Sequence, residues 1–321
     1  MSANHLLNQL NHLLQRVWGH NSFYTQKWRR AGIAQRPLDD LAQLVGYPLT
    51  LRAELVEDQN TAPPLGTNVS CSITELKRVH RSTGTLPSTL FWADTTVSWQ
   101  TMVEEARVLL EGAEVDADDR VFVTLPFGSA LVPWLLYEAA LSMGCTTFTA
   151  GDADPMIQLT HLRQFRPTVV VARSSRLVAI AHAARDLGVG LGQLGVERIV
   201  TTGQIGSTHA ATATRLREAW PTEYFDCYLT TEAGPIAGEC SAHAGAMHLL
   251  DRSVLAEVID VDKGTPVPEG ESGELVLTCL RREAQPVIRY RTGDLVRLRT
   301  QTCACGRSGP ALIGGVRRRE T

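Results

Sequence analysis

The stretch Val121-Phe122-Val123-Thr124-Leu125-Pro126-Phe127-Gly128 is followed by Ala130–Leu141 and then by Cys145-Thr146-Thr147-Phe148-Thr149. It reads as a short β-branched and aromatic run, a turn, an apolar helix and a second strand. The uncharged run from Val121 to Tyr137 is broken by Pro126, Gly128 and Pro133 and closed by Glu138, so it is not a membrane span. The same alternation continues downstream. Met156–Phe165, Leu177–Leu187 and His209–Trp220 have helical spacing, and they separate the strand-like runs Thr168–Ala172, Arg198–Thr202 and Tyr224–Tyr228. Strands that alternate with helices predict an α/β fold with a mostly parallel sheet flanked by helices.

Outward from this core the pattern changes. Upstream, Leu6, Leu7, Leu10, Leu13, Leu14 and Val17 recur at helical spacing, Leu38–Leu44 is a second short helical run, and Asp58–Val69, with Pro63 and Pro64, reads as a linker. Downstream, Ala256–Asp260, Glu274–Thr278, Val287–Tyr290 and Leu295–Leu298 read as strands of a smaller antiparallel unit. The expected divisions are a helical region with linker over 1–70, an α/β core over 71–235, a β-rich subdomain over 236–316 and a short end over 317–321.

The chain has 321 residues, with 31 Lys and Arg against 34 Asp and Glu, and its longest basic run is Arg317-Arg318-Arg319. So even a balance points to a small-molecule site rather than nucleic acid or a membrane surface. The start, Met1-Ser2-Ala3-Asn4-His5, leads directly into the leucine repeat without the features of a secretion signal, so a cytoplasmic location is expected. Seven cysteines are dispersed along the chain, which disfavours a disulfide framework.

Three runs carry polar groups suited to chemistry. Arg81-Ser82-Thr83-Gly84-Thr85-Leu86-Pro87-Ser88-Thr89 is a hydroxyl-rich loop that could cradle phosphate, or serve as a plain turn. Tyr228-Leu229-Thr230-Thr231-Glu232 falls where a parallel strand ends, the place where open α/β sheets bind ligands. Its ring could stack on a base, while its hydroxyl and carboxylate could hold phosphate and Mg²⁺. In Tyr290-Arg291-Thr292-Gly293-Asp294, Gly293 supplies a turn and Asp294 could accept hydrogen bonds from a ribose diol, although a charged hairpin would read the same way.

Taken together and in this order, the three runs resemble the adenylate-forming superfamily of acyl-CoA synthetases, peptide-synthetase adenylation domains and firefly luciferase. Within that superfamily the likeness is to the phenylacetate–CoA ligase family. It extends to Leu13-Leu14-Gln15-Arg16-Val17, Asn21-Ser22-Phe23-Tyr24, Ala31-Gly32-Ile33 and Asp40-Leu41-Ala42-Gln43-Leu44, which are similar to that family's opening helices. Pro286-Val287-Ile288-Arg289-Tyr290-Arg291-Thr292-Gly293-Asp294-Leu295 is similar to its ribose-binding motif. The resemblance implies the large N-terminal domain of such an enzyme, with ATP or AMP and Mg²⁺ as cofactors. It places Ser82, Thr83, Gly84 and Thr85 on the phosphate loop, Thr202, Gly203 and Gln204 along adenine, and Tyr228 on the stacking ring. Thr231 falls on a phosphate contact, Glu232 on the Mg²⁺ ligand, and Asp294 on the ribose acceptor. The implied reaction joins a small carboxylic acid to AMP, releases pyrophosphate, and then captures the acyl group with CoA, an acyl carrier or an amine.

This chain departs from the family pattern in places. Leu86, Pro87 and Ser88 stand where the family has Thr, Gly and Lys, Gln204 replaces a Glu, and Leu229 replaces a Gly. Ile313–Glu320 aligns with the family hinge, with Arg318 on the hinge Arg, so the mobile C-terminal domain is expected to be absent or supplied by another chain. These departures keep alive a degenerate nucleotide- or acyl-binding protein without turnover, or AMP or acyl transfer to an acceptor other than CoA. Oligomeric state is left open. Cys303 and Cys305 form a Cys-Ala-Cys-Gly knuckle, and with Cys240 and a histidine they would complete a closed tetrahedral zinc shell. Some members of the family carry zinc at a comparable place, and by that likeness His248 is favoured over His243 as the imidazole ligand.

Overall fold

The computed structural model describes residues 3–82, 89–203, 210–242 and 245–318. The sequence positions Thr83, Gly84, Thr85, Gln204 and His243 therefore lie outside the described residues.

The leucine repeat forms α1 (Ala3–Val17), whose Leu10, Leu13, Leu14 and Val17 are buried, and α2 (Ser22–Arg30) follows, capped by the Asn21 side chain on the Tyr24 N–H. Asp40 caps a short 3₁₀ turn over Leu41–Gly46, and α3 (Arg52–Thr61) comes next. The stretch expected as a linker carries the end of α3 and then folds back on it. Asp58 accepts from the backbone of Thr67 and Asn68, and Asn68 bonds Asn21 and the Pro286 carbonyl. The hairpin of β1 (Leu76–Arg81) and β2 (Phe91–Thr95) precedes α4 (Thr96–Gly112), a helix outside the expected alternation. Its Trp99, Met102, Ala106, Leu109 and Leu110 recur at helical spacing and are buried against the sheet.

The alternation read from sequence is then met: β3 (Arg120–Val123), α5 (Leu131–Ser142), β4 (Thr146–Thr149), α6 (Pro155–Phe165), β5 (Val169–Ala172), α7 (Ser174–Asp186), β6 (Arg198–Thr202), α8 (Ala210–Ala219) and β7 (Glu223–Thr230). These strands pair in parallel in the order β4-β3-β5-β6-β7. All four residues of β5, Val-Val-Val-Ala, are buried, as a parallel strand covered on both faces requires.

From β7 onward the sheet continues antiparallel. It adds β8 (Gly234–Gly238), β9 (Ala246–Leu249), β10 (Val254–Ile259), β11 (Ser272–Cys279), β12 (Tyr290–Thr302), β13 (Ser308–Ile313) and β14 (Arg317–Arg318). The order is β7-β8-β9-β13-β12-β11-β10, with β14 on β12, so the α/β and β-rich halves share one sheet among the described residues. Two strands expected over 287–298 are instead a bend followed by the long β12. The bend is at Arg289, a non-glycine residue at φ +48°. Its side chain is fully engaged: it grips Glu257 at 2.8 and 3.0 Å, donates to the Val45 carbonyl at 2.7 Å, and also reaches the Tyr47 carbonyl. Those bonds, together with the Thr278 hydroxyl on its N–H, hold the unusual backbone in place.

The same bend docks the N-terminal helices. Thr50 pairs with Tyr290 as an isolated parallel bridge, donating its N–H to Arg289 and accepting from Arg291. The Leu10, Leu14, Tyr24 and Trp28 cluster closes over Leu280 and Ile288. No described helix is long and apolar enough to cross a membrane.

Candidate active site and metal centre

Thr202 ends β6, and Thr230 ends β7 with Thr231 and Glu232 just beyond it, at the carboxyl edge of the parallel sheet. The turn after β7 is fixed on both sides. Thr230 accepts from the Ala233 N–H at 3.0 Å, and Gly234 lies at φ +76°, where an added Cβ would come within 2.9 Å of the Met102 sulfur. Beneath the turn, buried Arg282 forks onto buried Asp94 at 2.8 and 2.5 Å and donates a further bond to the Thr231 carbonyl. Glu232, only 7% exposed, is thereby held at the mouth of the site.

Ser82 is buried at the start of the hydroxyl-rich run, where its N–H donates to the Leu90 carbonyl and its hydroxyl accepts from the Leu90 N–H, so Ser82 and Leu90 are pinned together. His80 lies in β1, buried and stacked on Trp99 at 5.2 Å. Thr202 is buried, and its hydroxyl has no partner among the described residues; Gly203 follows at φ +75°.

Tyr228 and Asp294 face each other across the sheet, and the phenol donates to Oδ2 at 2.6 Å. Burial, joined by the Asp294 charge, pushes the Tyr228 hydroxyl well above its ordinary value, so it remains a donor. Gly293, at φ +75°, lies within β12 rather than in the expected turn, where the pairing with β11 shifts register just before Asp294, whose N–H bonds the Thr292 hydroxyl. The backbone of Arg318 pairs opposite Asp294 in β14. The structure thus brings Ser82, Tyr228, Glu232 and Asp294 to one edge.

Two further residues join this cluster: Arg52, which carried no sequence signal, and Tyr290, which opens the third run but was given no role of its own there. Arg52, the first residue of α3, sends Nη1 to Glu232 Oε1 and Nη2 to the Ser82 hydroxyl at 2.7 Å. Tyr290 lies against Arg52, Glu232 and Asp294; burial raises its hydroxyl, and the Glu232 charge adds to the shift. The Thr50–Tyr290 bridge, formed across most of the chain, helps bring Arg52 here.

A second constellation sits at the other end of β8. Cys240 follows that strand, His248 pairs with Gly238 and Ala311 within β9, and Cys303 and Cys305 occupy the turn between the paired residues Thr302 and Ser308. Their ligand atoms all lie within 4.8 Å of one another. Cys240 Sγ is 3.4 Å from His248 Nε2 and 3.6 Å from Cys303 Sγ, and Cys305 Sγ is 3.5 Å from His248 Nε2. A tetrahedral zinc ion with ordinary bond lengths needs edges of roughly 3.8 Å between sulfurs and roughly 3.6 Å between sulfur and nitrogen. The four residues fit that shell. Backbone N–H groups of the knuckle, Cys305 first, pull the Cys303 thiol down toward the thiolate that such an ion binds.

No protein-family model matches the chain. Its sequence is 28% identical over 312 residues to the phenylacetate–coenzyme A ligase of Thermus thermophilus, covering 95% of this chain and 68% of that protein. The Escherichia coli phenylacetate–coenzyme A ligase is 26% identical over 90% of this chain and 65% of its own length. The fold superposes on 2-hydroxyisobutyryl-CoA ligase, crystallised with 2-HIB-AMP and CoA, with a TM-score of 0.94 and 24% identity over 99% of this chain and 68% of the other. ATP-bound MatB from Rhodopseudomonas palustris gives a TM-score of 0.58 at 14% identity, over 77% of this chain and 50% of that one. The fold is that of the adenylate-forming ligases. In sequence the chain is similar to the phenylacetate–CoA ligases, and it spans about two thirds of their length.

Proposed function

We propose that the chain activates a small carboxylic acid as an acyl-adenylate, using ATP. The observation that carries this reading is the convergence of Ser82, Glu232, Tyr228 and Asp294 at one sheet edge of a chain whose curated relatives are ligases of an aryl acid. An oxygen of the acid's carboxylate attacks the α-phosphorus of ATP, the bond to the pyrophosphate oxygen breaks, and acyl-AMP and pyrophosphate form. Asp294, oriented by Tyr228, receives the ribose hydroxyls, while Thr202 and Gly203 border the adenine. Ser82 and Thr231 meet the phosphates. Glu232, with Thr231 beside it, fits a divalent cation such as Mg²⁺ once Arg52 yields, because it is a nearly buried carboxylate already facing a cation. When bound, that ion supplies positive charge for the departing pyrophosphate. The site of Cys240, His248, Cys303 and Cys305 holds a structural zinc that ties β8 and β9 to the β12–β13 turn.

CoA is the acceptor we favour, following the relatives' names. The altered loop residues Leu86, Pro87 and Ser88 favour a second reading, a nucleotide- or acyl-AMP-binding protein without turnover. Carboxylate-dependent ATP–pyrophosphate exchange, run on this chain with Mg²⁺ and a panel of aryl and short aliphatic acids, decides between them. Exchange with one acid that is lost in Asp294→Ala supports activation, and adding CoA then shows whether a thioester forms. Absence of exchange with every acid, while ATP still binds, supports the second reading.

A further inference from the structure

Glu232 does not stand open to solvent cations. Arg52 is its ion-pair partner, and the two side chains are only 15% and 9% exposed. The arginine is fixed at its root, because Thr50 is bridged to Tyr290 and Arg52 begins α3 two residues later. At its tip it is held by Glu232, by the Ser82 hydroxyl and by the Tyr290 phenol. Burial works against the Arg52 charge, and the Glu232 carboxylate together with the Tyr290 phenol more than offsets this. A guanidinium is charged at every pH the protein meets, so the carboxylate is neutralised before any metal arrives.

We propose that Arg52 is a built-in counter-cation that excludes divalent metal from Glu232 until nucleotide enters. The inference rests on the reading of Glu232 as the divalent-cation carboxylate. A guanidinium and a divalent ion in contact with one carboxylate repel each other across a partly desolvated site, where the repulsion is poorly screened. Incoming polyphosphate offers the guanidinium a bidentate partner in exchange. The metal position is therefore closed in the free protein and opens as the nucleotide draws Arg52 away.

The test is a titration of nucleotide-free protein with Mn²⁺, with the free ion followed by electron paramagnetic resonance. Arg52→Gln is expected to bind Mn²⁺ at least ten-fold more tightly than wild type, and the gain should vanish in the Arg52→Gln, Glu232→Gln double variant. Equal affinity of Arg52→Gln and wild type, or a gain that survives in the double variant, overturns the proposal. Thermal unfolding checks that each variant is folded. Should Arg52→Gln not fold, wild type is compared with Glu232→Gln: affinities within two-fold support the proposal, and ten-fold tighter binding by wild type overturns it. Pyrophosphate exchange by wild type is scored separately, so failure of the activation reading and failure of this one give different results.

Discussion

The Tyr228 phenol and the Asp294 carboxylate, 66 residues apart in sequence, meet at 2.6 Å and bind the last parallel strand to the long antiparallel β12. The bond fixes how the carboxylate is turned. Tyr228→Phe keeps the ring and removes the donor, so the carboxylate loses its orientation but not its charge. We expect ATP affinity to fall about three- to ten-fold with kcat nearly unchanged. Equal loss in kcat and kcat/KM would place the phenol in the reaction itself.

The cysteine and histidine cluster predicts about one zinc per chain by elemental analysis of the purified protein. Cys303→Ser should lose the metal and melt roughly 5 °C or more below wild type. Metal-free protein that melts at the same temperature as the variant would remove zinc from this site.

Asp94 and Arg282, 0% and 3% exposed, form a buried pair under Thr231. Replacing one partner leaves the other charge buried and alone, so Asp94→Ala should cost about 3–5 kcal/mol in urea unfolding. An effect below about 1 kcal/mol would mean that water reaches the guanidinium.

Glu105 supplies a pH dependence. Burial inside α4 pushes its carboxyl from the ordinary 4.5 to about 7, with the Ser253 hydrogen bond and Arg281 opposing the shift. Because the folded value is raised, the folded state holds the proton more tightly. The stability this contributes is complete below about pH 4.5 and declines as pH rises toward 7. Glu105→Gln should therefore leave the melting temperature at pH 5 nearly unchanged and raise it at pH 8, read by calorimetry at both pH values. Stabilisation that is equal at the two pH values would assign the effect to packing.

The parallel half was legible because its signal is local: β3 through β7 and the helices between them each carry their own period within a dozen residues. The bend at Arg289 was not, since a positive φ at a non-glycine residue depends on Glu257 and two carbonyls more than 240 positions away in sequence. His248 was distinguishable from His243 only through a family likeness, and its Nε2 does lie 3.4 and 3.5 Å from two of the thiols. Arg52 stayed invisible because nothing around Thr50-Leu51-Arg52 resembles a ligand motif; its role arises from a bridge to the far end of the chain.

Those same long-range clasps bear on how the molecule is made. Tyr24 receives the Ile288 N–H and Thr50 donates to the Ile288 carbonyl, over separations of 264 and 238 residues. A ribosome adding about 5–20 residues per second leaves the opening helices without their seat for roughly 12 to 50 s. During that interval the stripe of Leu10, Leu13 and Leu14 lacks its Leu280 and Ile288 partners, a point at which slow translation would favour clumping over assembly.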